Sequence, residues 1–204
     1  MAFDFSALLH ELSAIEWFAV LATLLNVWLV MRADTRNFPI GIVSVIAYAY
    51  VFWAAKLYAN FALQLVYYLP MQVIGWWVWL RTGPKKDDDL PIKTLTLRQN
   101  GLWIVATAVG TGIAGYLLSF TTDGHIPYVD AFTTALSVIG QYMLTRKWME
   151  NWIYWIVADI IYVFWLFPSQ KLYVSTGLYA ILLVMAVNGL NKWRKASKLG
   201  ECRA

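Results

Sequence analysis

The sequence predicts an all-α integral membrane protein with seven transmembrane helices arranged as a 3+1+3 parallel repeat. Three observations carry that prediction. Of 204 residues 60% are hydrophobic and only 14% charged, against roughly 25% charged in soluble domains. Seven apolar runs are each bounded by charge or turn residues and are long enough for a hydrocarbon core of about 30 Å. Short strings of the first half return in the second half in the same order.

Residues 1–14 carry Asp4, His10 and Glu11 without a basic start, and read as an interfacial lead-in rather than a cleaved signal. The predicted spans are Ile15–Met31, Phe38–Ala55, Leu57–Leu80, Gly101–Phe120, Ile126–Thr145, Asn151–Gln170 and Leu172–Asn191. Grouped as domains, 15–80 is the first three-helix repeat and 81–100 a cytoplasmic loop. Residues 101–120 are a linker helix, 126–191 the second repeat and 192–204 a cytoplasmic tail. The third span runs 24 residues without a charge; the fifth is the weakest, with Asp130 near its start.

The connections fix the orientation. Alternate sides hold 14 and 2 of the 16 Lys and Arg residues, so the N-terminus is expected outside and the C-terminus in the cytoplasm. Basic residues distributed in this way are topology signals and lipid-headgroup contacts, not a nucleic-acid footprint. The long connection Arg81–Asn100, with TGPKKDDDLP, reads as a flexible linker, and Asp87–Asp89 as a solvated acidic run rather than a metal site. The single Cys202 excludes an intrachain disulfide.

The repeat rests on three echoes. Val51-Phe52-Trp53 returns at Val163-Phe164-Trp165, and Lys56-Leu57-Tyr58 at Lys171-Leu172-Tyr173. Gly75-Trp76-Trp77-Val78-Trp79 is echoed by Gly189-Leu190-Asn191-Lys192-Trp193, and the three echoes together span offsets of 112 to 115. Two halves of three spans insert the same way only if a fourth span returns the chain, and parallel repeats of this kind place substrate sites near mid-bilayer at the repeat interface.

Asp159 lies close to the middle of the sixth span. A carboxylate at that depth costs about 2.5–3.5 kcal/mol on insertion scales and faces a bundle interior or aqueous cavity. Trp152, Trp155, Asp159 and Tyr162 fall in one sector of that helix. An acid among aromatics points to a pocket for a flat cation; the competing reading is a hydrogen bond to a neighbouring helix. Further candidates are Asn60, Gln64 and Tyr67 on the third span and Ser44 and Tyr48 on the second. Gln141 on the fifth span and Tyr179 on the seventh, aligned with Gln64 in the repeat, complete the set. Each of these is equally suited to joining helices.

Most of the twelve tryptophans read as interfacial belts: Trp76, Trp77, Trp79, Trp148, Trp152 and Trp193 on the cytoplasmic side, and Trp17, Trp53 and Trp165 on the outer side. Gly110-Thr111-Gly112-Ile113-Ala114-Gly115 matches a dinucleotide fingerprint but sits inside a span with no strand before it. His10 and His125 have no ligand-spaced partners, and no nucleophile–base set is visible. No cofactor, metal or enzymatic activity is therefore expected.

Across essentially all seven spans the chain resembles the Pnu family of vitamin transporters, whose prototype is PnuC-like and carries nicotinamide riboside. The residues that carry the resemblance are Lys56-Leu57-Tyr58-Ala59, Gln64 and Gly75-Trp76 in half one. In half two they are Thr145-Arg146-Lys147, Glu150-Asn151-Trp152, Trp155, Asn188-Gly189 and Trp193. The resemblance implies a SWEET-like fold, a homotrimer in the bacterial inner membrane, and facilitated diffusion of an unphosphorylated vitamin that a separate cytoplasmic kinase then traps. Members handle nicotinamide riboside, thiamine or riboflavin. Asp159 stands where nicotinamide riboside carriers are expected to have asparagine, which points toward the thiamine branch; Ser44 and Gln141 also depart from the pattern. A receptor or scaffold, an intramembrane enzyme and proton-coupled transport are the competing functions.

Overall fold

The computed structural model describes residues 14–54, 58–81, 91–121, 127–166 and 173–201, apart from some side chains at helix ends. The lead-in, Lys56, Asp87–Asp89, His125, Lys171 and Cys202 lie outside the described residues. Every described element is helical: α1 (Ala14–Met31), α2 (Asn37–Ala54), α4 (Leu97–Thr121), α5 (Pro127–Thr145) and α7 (Tyr173–Glu201). Two rods are composite. In α3, Tyr58–Leu63 passes through a π turn, Gln64–Tyr68, into Leu69–Arg81; in α6, Asn151–Ile161 ends in a π turn, Tyr162–Leu166. Among the described residues, Ala14–Met31, Asn37–Ala54, Phe61–Arg81 and Leu97–Phe120 are long and apolar enough to cross a membrane, and Asn151–Trp165 is a shorter apolar helix.

Six rods close a ring: α1 packs on α2, α2 on α3, α3 on α5, α5 on α6, α6 on α7, and α7 back on α1. Helix α4 lies outside the ring against α5. Its start is built by a capping box: Thr96 Oγ1 accepts from Gln99 N–H at 3.3 Å while Gln99 Oε1 accepts from Thr96 N–H at 2.9 Å.

One set of contacts occurs twice, 114 positions apart. Trp79 Nε1 donates to Leu144 O at 3.2 Å, and Trp193 Nε1 donates to Val30 O at 3.0 Å. Each bond joins the third helix of one half to the first helix of the other. Phe38 stacks edge-on against Trp79 and packs on Gly75, as Trp152 stacks edge-on against Trp193 and packs on Gly189. Helix α1 ends on Ala33 at φ 54° and α5 on Lys147 at φ 57°. In both turns this left-handed residue donates three residues back, and the next residue donates five back. This is a Schellman closure, made by residues that carry a Cβ where glycine is usual. Asn37 and Asn151 each donate from Nδ2 to the carbonyl three residues earlier, at 2.6 Å.

The π turn in α3 explains why the offset changes. Leu69 N–H bonds to Gln64 O, five residues back, and Pro70 has no N–H to restore the α pattern. A π turn holds one residue more than the α turn it replaces. The offset is accordingly 115 at Tyr58–Tyr173 and 114 from Gly75–Gly189 onward.

Three tryptophans read as belt residues are core instead. Trp79, Trp152 and Trp193 are 1–2% exposed and belong to a buried cluster with Val30, Met31, Phe38, Leu144, Met149, Ala186 and Leu190. Trp152 enters because Gly189 leaves room for its ring, as Gly75 does for the Phe38 ring that packs on Trp79, whereas Trp76, Trp77, Trp53 and Trp165 do remain exposed. The connection Arg81–Asn100 is not a flexible linker throughout. Lys93 N–H donates to Lys147 O at 3.1 Å, Met149 N–H to Lys93 O at 2.9 Å and Leu95 N–H to Glu150 Oε1 at 2.9 Å. Leu97–Asn100 already belongs to α4, and α7 continues beyond Asn191 to Glu201. The partly exposed Asp34 carboxylate pairs with the exposed Arg36 at 2.6 Å, and that hydrogen bond holds it below the ordinary aspartate range. So exposed a pair adds little to stability.

Candidate functional site

A cavity of about 290 Å³ runs up the middle of the ring. All six ring helices line it, and α4 contributes nothing to it. It borders the buried aromatic cluster through Val30, Leu144, Trp152 and Ala186.

Half one supplies Thr23 and Asn26 from α1, Gly41, Ser44 and Tyr48 from α2, and Gln64, Tyr68 and Gln72 from α3. Thr23 and Ser44 share a hydrogen bond of 2.6 Å, and Asn26 Nδ2 donates to Asn37 O at 2.6 Å. Half two supplies Ser137 and Gln141 from α5, Asn151, Trp152, Trp155, Asp159 and Tyr162 from α6, and Tyr179 from α7. The Tyr162 and Tyr179 rings meet at 4.8 Å. Asp159 is 4% exposed and forms no ion pair with a described residue. The described residues contain no group of three or more metal-ligating side chains.

Of the candidates read from the sequence, the fold brings together Ser44, Tyr48, Gln64, Gln141, Trp155, Asp159, Tyr162 and Tyr179 on one cavity. Tyr67 stands elsewhere: its hydroxyl donates to Val138 O and ties α3 to α5. A regular helix would set Tyr67 and Tyr68 on either flank of the face of Gln64; the π turn rotates Tyr67 further from that face and leaves Gln64, Tyr68 and Gln72 on the cavity at four-residue spacing. The Asn60 side chain lies outside the described residues.

Gln72, Tyr68, Thr23, Asn26 and Ser137 line the cavity without having been singled out from sequence; Trp152, in the sector of Asp159, lines it as a core residue rather than a belt one. For Gln72 the signal existed, as a second glutamine eight residues after Gln64 in a charge-free run.

The halves match in frame but not in what they present. Half one sets Gly41 on α2 beneath Gln72 of α3, opposite Asn26 of α1. At the matching places half two has Trp155, Ala186 and Gly140. A Cβ on Gly140 would meet Trp155 Nε1 at 3.4 Å, so the indole fills the space that glycine leaves. The acid is one-sided too, since the mate of Asp159 is Val45. The result is a symmetric shell around an asymmetric lining: the acid and the indole come from half two alone, and amides come from both halves. Such a lining suits a flat molecule with a positive ring and a neutral polar end.

Comparison with known proteins supplies the family and the fold. The family model described as nicotinamide mononucleotide transporter matches residues 13–195. The chain is 26% identical to the nicotinamide riboside transporter PnuC of Escherichia coli, over 96% of this chain and 91% of that protein. It is 28% identical to the PnuC of Neisseria mucosa, over 90% and 74%. A riboflavin/roseoflavin transporter, RibM of Streptomyces davaonensis, is 24% identical over 61% of this chain and 59% of its own length. Among solved structures, a crystal structure of the vitamin B3 transporter PnuC superposes with a TM-score of 0.70 at 28% identity, covering 88% of this chain and 80% of that one.

Proposed function

The chain belongs to the nicotinamide mononucleotide transporter family, and on that premise we propose that it takes up a small, flat, cationic vitamin precursor by facilitated diffusion. The observation that carries the reading is Asp159, buried without an ionic partner among the described residues, on a cavity that Trp155 also lines. A carboxylate in that position is costly unless a cation joins it. Nicotinamide riboside and thiamine both carry a permanent positive ring.

Nicotinamide riboside is the first substrate proposed, because relatives over nearly the whole chain are named for it. Thiamine is the second, and Asp159 is the residue that favours it, an acid where a nicotinamide riboside carrier is expected to have neutral asparagine. The vitamin is then trapped by phosphorylation through a separate cytoplasmic kinase. The repeated contacts at a spacing of 114 support a 3+1+3 plan with α4 as the linking span, and the 14-to-2 split of basic residues supports an N-terminus outside and a C-terminus inside. A homotrimer in the bacterial inner membrane belongs to the same proposal.

The test is counterflow in proteoliposomes preloaded with unlabelled vitamin and given labelled nicotinamide riboside, thiamine or riboflavin without an ion gradient. Accumulation of one cationic vitamin, unaffected by an imposed pH difference, is expected. Strict dependence on a pH gradient would replace facilitated diffusion with proton coupling. Binding without counterflow would make the protein a receptor.

A further inference from the structure

We propose that Gln72 and Gln141 form a second recognition point in the cavity, a pair of carboxamides that reads a neutral edge of the substrate. The edge they fit presents a hydrogen-bond donor and acceptor side by side, as a primary carboxamide or an aminopyrimidine does. The proposal rests on the cationic-vitamin reading and adds how such a molecule is held at its uncharged end.

The internal repeat acts as a control. Polar groups that serve the frame occur in both halves: Asn37 and Asn151 make the same turn bond, and each leaves its Oδ1 without a partner. Asn37 is not on the cavity, so the free oxygen of its mate Asn151 is explained by the frame. Gln72 and Gln141 have no such explanation. Their mates are Ala186 and Val27, and the frame closes there without an amide.

Both glutamines are deeply buried, at 6% and 4% exposed, and both line the cavity. Gln72 Oε1 lacks a donor and Gln141 Nε2 lacks an acceptor. A buried polar atom without a partner is a cost the fold leaves uncompensated unless something else supplies the bond.

Their heights agree. Tyr67 reaches Val138 on one side of the pair, and Gly75 lies against Thr145 on the other, where a Cβ would meet Thr145 Cγ2 at 3.2 Å. Helices α3 and α5 therefore run side by side in the same direction, and Gln72 and Gln141 fall at one level between those contacts. Gly41 leaves the Gln72 amide room to lie flat. Both atoms are covered as the side chains stand; turning each amide toward the cavity presents one free acceptor and one free donor at the same level, which complement a ligand edge with one donor and one acceptor.

The experiment compares two pairs of ligands on purified protein by titration calorimetry. Nicotinamide riboside is set against ribosylpyridinium, which keeps the charge and lacks the carboxamide; thiamine is set against its analogue without the pyrimidine amino group. Wild type is expected to prefer the complete vitamin by about five- to hundredfold. Gln72→Leu and Gln141→Leu should each collapse that preference toward one while binding the truncated analogue as before, which also reports a folded cavity. Where a leucine variant does not fold, Gln72→Met or Gln141→Met takes its place. Asp159→Asn should weaken both members of a pair and keep their ratio. An unchanged ratio in the glutamine variants, or equal loss of both ligands, overturns the amide pair while the cationic reading stands. Failure of wild type to bind either vitamin overturns both.

Discussion

The Gln72 carboxamide lies so close over Gly41 that a Cβ there would stand 2.6–2.7 Å from its amide atoms. The Trp152 ring lies as close over Gly189, with three ring atoms 2.5–2.7 Å from the same imagined Cβ. The two approaches look alike but give way differently. Gln72 ends in a flexible amide that can swing into the cavity, whereas the Trp152 indole is locked against Trp193 at 5.5 Å.

Gly41→Ala is therefore expected to leave thermal stability within about 1 kcal/mol of wild type while lowering vitamin affinity, because it moves Gln72. Gly189→Ala should destabilise by about 1–3 kcal/mol through overpacking. Melting curves and binding isotherms on both variants separate the two effects. Equal melting temperatures would show that the indole has room to shift.

Asp159→Asn should weaken binding of the cationic vitamin and affect a neutral analogue less. It also removes a charge whose insertion costs about 2.5–3.5 kcal/mol, so the variant is expected to melt higher. Opposite movement of affinity and stability marks a binding acid. A variant that binds normally and melts lower would make Asp159 a structural residue.

Trp79→Phe and Trp193→Phe each remove one indole bond between the halves, worth about 0.5–1.5 kcal/mol. Trp79 also lies under the buried Lys147, with Nζ 4.4 Å from its ring. Phe is a poorer platform for a cation than Trp, so Trp79→Phe should cost more than Trp193→Phe. Chemical denaturation of the two variants in detergent gives the comparison, and the reverse order would contradict it.

Ala33→Gly should stabilise the protein by up to about 1 kcal/mol, because Ala33 holds φ 54° at the end of α1 and glycine has no Cβ to oppose that conformation. Lys147→Gly at the mate position should give no such gain, since it also removes the cation over Trp79. A Tm for Ala33→Gly at or below that of wild type would show that its Schellman turn is unstrained.

The sequence by itself determined where the helices lie, since each apolar run meets a helix within about a turn at most boundaries. Hydrocarbon thickness sets their length, and prolines, glycines and charges mark their ends locally. It also held the echo of Gly75-to-Trp79 in Gly189-to-Trp193, segments whose contacts recur 114 positions apart, and it drew attention to Asp159, since a lone acid in an apolar run stands out without neighbours. The tertiary structure decided which side chains share the cavity. Hydropathy cannot tell a belt tryptophan from a core one; Trp79, Trp152 and Trp193 are buried because other helices bring Phe38, Gly189 and one another against them. Helical spacing cannot foresee a π turn, and that single extra residue turns Tyr67 away from the face that Gln64 and Tyr68 share on the cavity. Gln72 needed the fold most, because what gives it room is an absent Cβ at Gly41, thirty-one positions earlier in the chain and on a different helix.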